Sequence, residues 1–462
     1  MDWRVNIRTL LQLVASVYLI AFVSWGVQAQ GLIGSHGILP AADFLATVHR
    51  QLGSSAYWNC PTVFWLNSSD GALQAGWILG ALCSMAAILT PIFAPTFAPW
   101  KPVTRAAFAG CLILWLSLCV AGQDFLSFQW DVLLLEAGFL ALFADDSLVR
   151  IWLFRWLIFR LMFYSGAVKL LSHDPSWHNL TALYFHYETQ PLPTPLAWYM
   201  EQLPMWFQQL STAFTFFAEL IVPFLFFAPK PIRHVAAWLV LVLQTLILLT
   251  GNYTFFNLLA IILTLFLFVE PQPAPMPGAR GRVHRAVSIA LVAFIGVVSG
   301  CVTLQMFSVD LPGESAVLRA VEPLRIVNSY GLFAVMTTER PEIVVEGSSD
   351  GATWLAYEFP YKPGDPRRAP PIVAPHQPRL DWQMWFAALG NYQSNRWFIS
   401  FMFRLLQGEP SVVRLLKHNP FPNAPPKYIR ARMYQYHFTK FGQPGWWKRE
   451  ERGLYFPTVS LK

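Results

Sequence analysis

Residues 151–171 form an apolar run long enough to cross a bilayer, yet they carry Arg155, Arg160 and Lys169. A charge left at mid-bilayer costs ~2.5–3.5 kcal/mol on insertion scales, so these three side chains must face protein or trapped water rather than lipid. No isolated helix can supply that shelter. The run therefore demands a bundle of neighbouring helices with acidic partners at matching depth.

Comparable runs recur near 10–29, 72–93, 103–122, 126–144, 210–228, 235–250, 255–269 and 286–304, which makes about nine spans of bilayer length. Apolar residues are 55% of the 462 and charged residues only 13%, too little charge to cover a soluble chain of this size. Residues 1–304 are thus expected to form a polytopic α-helical membrane bundle. Val27-Gln28-Ala29 resembles a signal-peptidase site, so cleavage competes with retention of the first span; the length of the run favours retention. Between the first two spans, Phe44, Leu45, Val48 and Leu52 recur at helical spacing and predict an interfacial helix over 41–52. From 305 the composition becomes that of a soluble domain. Strands are expected at 342–346, 354–359 and 427–438 and helices at 382–389 and 397–406, making 305–462 a β-containing (α+β) extramembrane domain.

Positive charge is distributed unevenly over the loops. Arg4, Arg8, Lys101, Arg105, Arg150, Lys230, Arg233, Arg280, Arg282 and Arg285 fall on one side, and before the ninth span the other side has only Arg50. This places the N-terminus in the cytoplasm and the C-terminal domain in lumen or periplasm, with an odd number of spans. The membrane would be that of the endoplasmic reticulum in a eukaryote and the inner membrane in a bacterium. Sequons begin at Asn67, Asn179 and Asn252, all on the outer side. Many basic residues sit in these short loops, where orientation signals belong, and the net charge of +7 calls for no nucleic acid.

Within the spans, Glu136, Arg160 and Glu219 lie near the midpoints of their helices, while Asp131 and Lys169 lie toward the outer end. An inner acid–Arg–acid group and an outer Asp131–Lys169 pair are expected. For Arg160, Glu136 and Glu219 the role is structural. Lys169 borders the aqueous loop and is either structural or a base or anion anchor, helped by Asp131 or His173. His173, His178 and His186, with Asp174 and Glu188, do not place three ligands on one helical face, and HExxH is absent; no metal is expected. Walker, dinucleotide and G-x-S-x-G motifs are absent too, and no cofactor is implied. Cys83, Cys111 and Cys119 sit in apolar runs, whereas Cys60 and Cys301 fall on the outer side, which allows one disulfide. Residues 381–386 read as an apolar helix face for packing, with Trp382 and Trp385 as a docking surface the alternative.

FLSFQWDVLLLEAGFLALF (125–143), the Arg155-to-Lys169 helix, DPSWHNLTALYFHYETQPLPTPL (174–196), VNSYGLFAVMTTERPEIVVEG (327–347) and PRLDWQMWFAAL (378–389) together resemble the lipase maturation factor family, along nearly the whole chain. In eukaryotes that family resides in the endoplasmic reticulum membrane, its C-terminal domain lumenal, and is required for folding and assembly of secreted lipases into active dimers. The resemblance implies a chaperone-like, ATP-independent factor whose partners are membrane lipid and secreted client proteins such as lipase-like hydrolases. Trp177, His186, Tyr187, Glu188, Trp382 and Trp385 would then offer the client surface. YSGAVKLL (164–171) is also similar to a segment of vitamin K-dependent γ-glutamyl carboxylases, where the lysine matching Lys169 is the base on the reduced quinone. After Trp177 the loop departs from that pattern. This second resemblance implies the rival function: a membrane enzyme acting on a quinone or lipid through Lys169, with Asp131 or His173 assisting.

Overall fold

The computed structural model describes residues 6–93, 100–145, 147–271, 279–309 and 312–461. In chain order the helices that position the site are α1 (Ile7–Gly26), α2 (Asp70–Phe93), α3 (Trp100–Ala121), α4 (Gln129–Phe143), α5 (Leu148–Leu171), α6 (Ala182–Thr189), α7 (Met205–Phe216), α8 (Lys230–Thr250), α9 (Phe256–Leu265), α10 (Ala279–Met306), α11 (Arg379–Ala388) and α12 (Arg396–Leu406). Ala41–Leu52 forms the short amphipathic helix expected after α1. Among the described residues seven helices are long and apolar enough to cross a membrane: α1, α2, α3, α5, α7 with its continuation to Phe227, α8 and α10. This makes the chain a polytopic helical membrane protein.

The fourth and eighth of the nine expected spans are shorter helices that still run between the two ends of the bundle. Asp131 pairs with Arg379 while Asp145 holds Arg150, and Asn252 bonds Pro371 while Arg233 meets Glu270. The α4 helix has 15 residues and α9 has 10, so at 1.5 Å per residue they reach only about 22 Å and 15 Å. Both are largely enclosed by other helices, and a helix buried in protein need not match the bilayer thickness. Leu133, Leu134 and Leu135 in α4 and Leu259, Ala260 and Leu263 in α9 have no accessible surface. The end of α9 explains two of the basic residues. Arg155 donates to the carbonyls of Phe266 (3.2 Å) and Val269 (2.5 Å), and Arg233 to that of Leu267 (2.9 Å). These carbonyls lie just past Leu265, where the chain has left the helix, and the guanidiniums satisfy them at the end where the helix dipole favours positive charge.

Past Phe216, α7 changes pitch, through a π turn at Phe217–Ile221 and a 3-10 stretch at Val222–Phe227. Pro223 has no N–H to give the carbonyl of Glu219 and its ring crowds that carbonyl, so regular α-helix cannot continue there. On α5, Gly166 faces this turn, and a Cβ at that position would lie 2.9 Å from the Glu219 Cβ and 2.8 Å from Leu220. The glycine therefore permits the two helices to approach where their charges meet.

The C-terminal region builds an antiparallel sheet of β1 (Arg340–Ser348), β2 (Leu355–Ala356), β3 (Tyr428–Phe438) and β4 (Trp447–Ser460), in the order β2-β1-β3-β4. Strand β4 was not anticipated, since WKREERGL lacks the apolar alternation of a half-buried strand; its burial is confined to a few positions such as Tyr455 and Phe456. Helix α12 buries Trp397, Phe398, Phe401, Met402 and Leu405, one face at helical spacing, and sets Phe398 against Tyr455 and Phe456.

The connection between the bundle and the sheet re-enters the bundle. Tyr330 and the Asn328 backbone reach Glu136, seven residues into α4 and so about 10 Å from its N-terminal end. Such irregular backbone is tolerated at this depth only because protein encloses it. At Gly331 the approach is closest: a Cβ there would lie 2.6 Å from Val168 on α5.

At the opposite end of the bundle, Arg8, Lys101, Arg105 and Asp145 border one pocket, and Asp145 also holds Arg150 (2.5 Å) and His284 (2.8 Å). The loops expected on the inner side thus share one end. Arg4 lies outside the described residues, as does the side chain of Arg280. Cys60 and Cys301 are free thiols, so the disulfide allowed by the sequence is not formed. Asn252 is buried, its side chain bonded to the carbonyls of Leu192, Pro193 and Pro371 and to the amides of Val373 and Ala374; it cannot serve as a glycan acceptor.

Candidate functional site

A cavity of about 500 Å³ lies between α5, α6, α7, α8 and the re-entrant segment. Its lining is mostly apolar, with Phe207, Leu210 and Phe214 on α7 and Leu243, Leu246 and Ile247 on α8. Lys169 and Glu219 supply its charged end. The Lys169 Nζ donates to both carboxylate oxygens of Glu219, at 2.9 and 2.7 Å, and to the Ser165 carbonyl at 3.1 Å. The same Nζ stands 5.2 Å from the Trp177 ring centroid, a cation–π contact. Both partners are buried.

The polar loop after α5 fixes the outer wall. Asp174 caps the turn at Ser176 and accepts the Met336 N–H at 2.5 Å; Trp177 donates its indole N–H to the Phe333 carbonyl at 2.9 Å. Backbone and side-chain hydrogen bonds hold the Asp174 carboxyl below the usual range, against the opposing effect of burial. His186 packs edge-on against Phe333, with its Nε2 3.1 Å from the Tyr253 hydroxyl. Tyr253 donates its own proton to Gln190, so Nε2 carries the hydrogen toward Tyr253 and buried Nδ1 is without a partner. Burial, and then the charge of Lys169, push His186 down to about 4. The ring is neutral at physiological pH.

The expected pairings are corrected in part. Glu136 does pair with Arg160, but Glu219 pairs with Lys169 and not with Arg160. Asp131 pairs with Arg379 of α11, which donates to its two oxygens at 2.6 and 2.8 Å, so the outer Asp131–Lys169 pair does not form. Depth estimates assumed that only bundle residues compete for these acids. The outer domain and the re-entrant segment compete as well. Lys169, Asp131 and His173, the three catalytic candidates, make no mutual hydrogen bond among the described residues; His173 is exposed and stacks with His178.

The client-surface candidates divide differently than expected. Trp177, Tyr187, Trp382 and Trp385 are buried, because loop and outer domain pack on each other. Tyr187 and Trp198 share a cluster with Tyr436, Phe438 and Trp447, while Glu188 accepts from the Phe438 amide at 2.6 Å. Trp385 donates to the Thr189 carbonyl at 2.8 Å. An aromatic groove of about 380 Å³ does open nearby, lined by Phe128, Trp130, Phe333, Trp382, Trp385 and Phe386. Its accessible apolar rim is Val335, Phe386 and Leu389. Cavity and groove share Tyr253, Leu332 and Phe333, so one thin wall divides them. No group of three or more His, Cys, Asp or Glu side chains suited to a metal occurs among the described residues.

Residues 6–273 match the lipase maturation factor transmembrane domain, and residues 326–457 match the lipase maturation factor C-terminal domain. This chain belongs to the lipase maturation factor family. Lipase maturation factor 2 of Gallus gallus is 38% identical over 97% of this chain and 80% of its own length. The Homo sapiens lipase maturation factor 2 is 36% identical over 98% and 82%, and lipase maturation factor 1 of Bos taurus 34% identical over 98% and 88%. The Gallus gallus alignment runs over 588 positions against the 462 residues here, so that lipase maturation factor contains inserted segments this chain lacks. No solved structure matches. The C-terminal match begins at 326, and so includes the re-entrant segment, while α10 falls between the two matched regions.

Sequence reasoning missed Arg379, Asn328 and Tyr330, although all three lie within strings that carried the resemblance. Arg379 was legible as the one cation in an aromatic-rich helix.

Proposed function

We propose that this protein is a membrane-embedded maturation factor that assists folding and assembly of secreted proteins such as lipases. The family match over both the membrane bundle and the outer domain carries this proposal. The aromatic groove supports it, since Val335, Phe386 and Leu389 give a partly folded client an accessible apolar rim backed by rigid aromatic rings. The outer domain would face the lumen of the endoplasmic reticulum in a eukaryote or the periplasm in a bacterium, with the N-terminus cytoplasmic; the uneven loop charge supports that orientation.

Chemistry at Lys169 is the weaker reading, because a base needs a free amine and Lys169 directs all three N–H bonds at acceptors. The test is to delete the gene in its host and measure the activity of each secreted hydrolase per unit mass. Lowered specific activity, restored by the intact chain and not by a Phe386→Asp, Leu389→Asp variant of equal abundance, supports the proposal. Unchanged specific activities across the secreted hydrolases would refute it. Reporter fusions at the C-terminus test the orientation separately.

A further inference from the structure

We propose that the cavity between α7 and α8 binds a neutral lipid with a long apolar chain and a free hydroxyl head, drawn laterally from the bilayer. The shape of the space comes first. Helix α8 packs against the Val222–Phe227 stretch at one end, and farther along α7 and α8 become the two walls of the cavity. Leu210 and Leu246 line it and are themselves 61% and 47% exposed; they stand at its mouth. The residues flanking that mouth, Phe217, Val242 and Leu249, are exposed and apolar on helices of membrane-spanning length, so the opening meets acyl chains rather than water. A volume of about 500 Å³ falls within the range of small-molecule sites. Apolar walls without a partner forgo dispersion contacts that a lipid chain would restore.

The charged end selects the head group. Lys169 has three N–H bonds and gives all of them to Ser165 and Glu219. A carboxylate offers about four lone-pair sites, and among the described residues only Lys169 makes use of those of Glu219. What this end still offers is acceptor capacity, which suits a hydroxyl. Because the pair is neutral as a whole, a charged head would enter an apolar space without a counter-ion, an unfavourable exchange for its hydration. Neither argument depends on the maturation role, so the site stands or falls independently of it.

The full chain is reconstituted in phosphatidylcholine nanodiscs with hexadecanol carrying a chain diazirine and a terminal alkyne; the comparator is the same chain ending in a carboxylate. After illumination, labelled peptides are mapped. The alcohol should label 210–219 and 243–250 about tenfold more than the acid does, the equivalent of about 1.4 kcal/mol. It should also label them well above exposed segments of α2, and unlabelled hexadecanol should compete. Ile247→Trp fills the space and should abolish labelling with the melting temperature unchanged. Ser211→Phe is the second filling variant if the first fails to fold. A Lys169→Met, Glu219→Leu double variant should keep labelling but lose the preference for alcohol over acid. The proposal is overturned by equal labelling with the two probes, by labelling in proportion to lipid exposure along every helix, or by a folded filling variant that labels like the parent.

Discussion

Helix α5 supplies the base of two buried acid–base pairs whose surroundings are opposite. Glu136–Arg160 is sealed: besides Arg160, Glu136 accepts from the Tyr330 hydroxyl (2.7 Å) and the Asn328 amide (3.1 Å), and Arg160 donates to the Asn328 carbonyl (3.1 Å). Glu219–Lys169 meets a cavity, and among the described residues Lys169 alone bonds its acid. A network in which the acid has several partners fixes a structure, and its members are costly to remove. A pair beside open space retains acceptor capacity for a ligand, and water can enter when one member is lost. Neither burial nor charge separates the two pairs; the neighbours do.

The largest effect should come from the sealed pair. Glu136→Ala leaves Arg160 buried with no counter-ion and should cost about 3–5 kcal/mol, seen as a large fall in the detergent-solubilised melting temperature. A loss no greater than that of Glu219→Ala would erase the contrast. Tyr330→Phe removes one hydrogen bond to a charged group and should cost about 1.5–3 kcal/mol in the same assay, without altering lipid-probe labelling.

The open side should respond to pH through His186. Its folded value of about 4 lies below the ordinary 6.5, so acidification protonates the unfolded chain first and stability falls as pH drops from 6.5 toward 4. Between pH 7 and 5 that amounts to about 2 kcal/mol from this residue, and His186→Phe should flatten the slope by that amount. His376, also lowered to about 4 by burial and Arg379, adds to the slope. Buried Asp381 is raised to about 6 and acts oppositely, favouring the fold as pH falls from 6 toward 4. An unchanged slope in the variant would mean that His186 is not held neutral by its surroundings. The smallest effect is expected when the open pair is replaced as a unit. Lys169→Met with Glu219→Leu should shift stability by about 1 kcal/mol or less, because no lone charge remains. A loss as large as that of Glu136→Ala would place this pair with the structural network.

Much of the bundle was legible in the runs of apolar residues, because a bilayer imposes length and polarity on any helix that faces it. The same argument overstated the length of α4 and α9, whose apolar residues are largely buried in protein. The site was legible as a set of residues and not as a set of pairs. Lys169, Glu219, Trp177 and His186 were all singled out, and all line one cavity. Their partners were misassigned where the competing group lay far along the chain: Arg379 takes Asp131, which leaves Lys169 to Glu219.

By itself the sequence determined that the chain lives in a membrane, that charge within its fifth run must be sheltered, and that a strand-forming domain follows the last span. Those properties are local, since hydropathy, charge and residue spacing act over a few turns. Tertiary structure alone decided that 327–336 returns into the bundle, that the loop aromatics are buried rather than displayed, and that one ion pair borders a cavity while another is sealed. Each depends on contacts between segments more than a hundred residues apart, and no spacing rule reaches across a chain that folds back on itself.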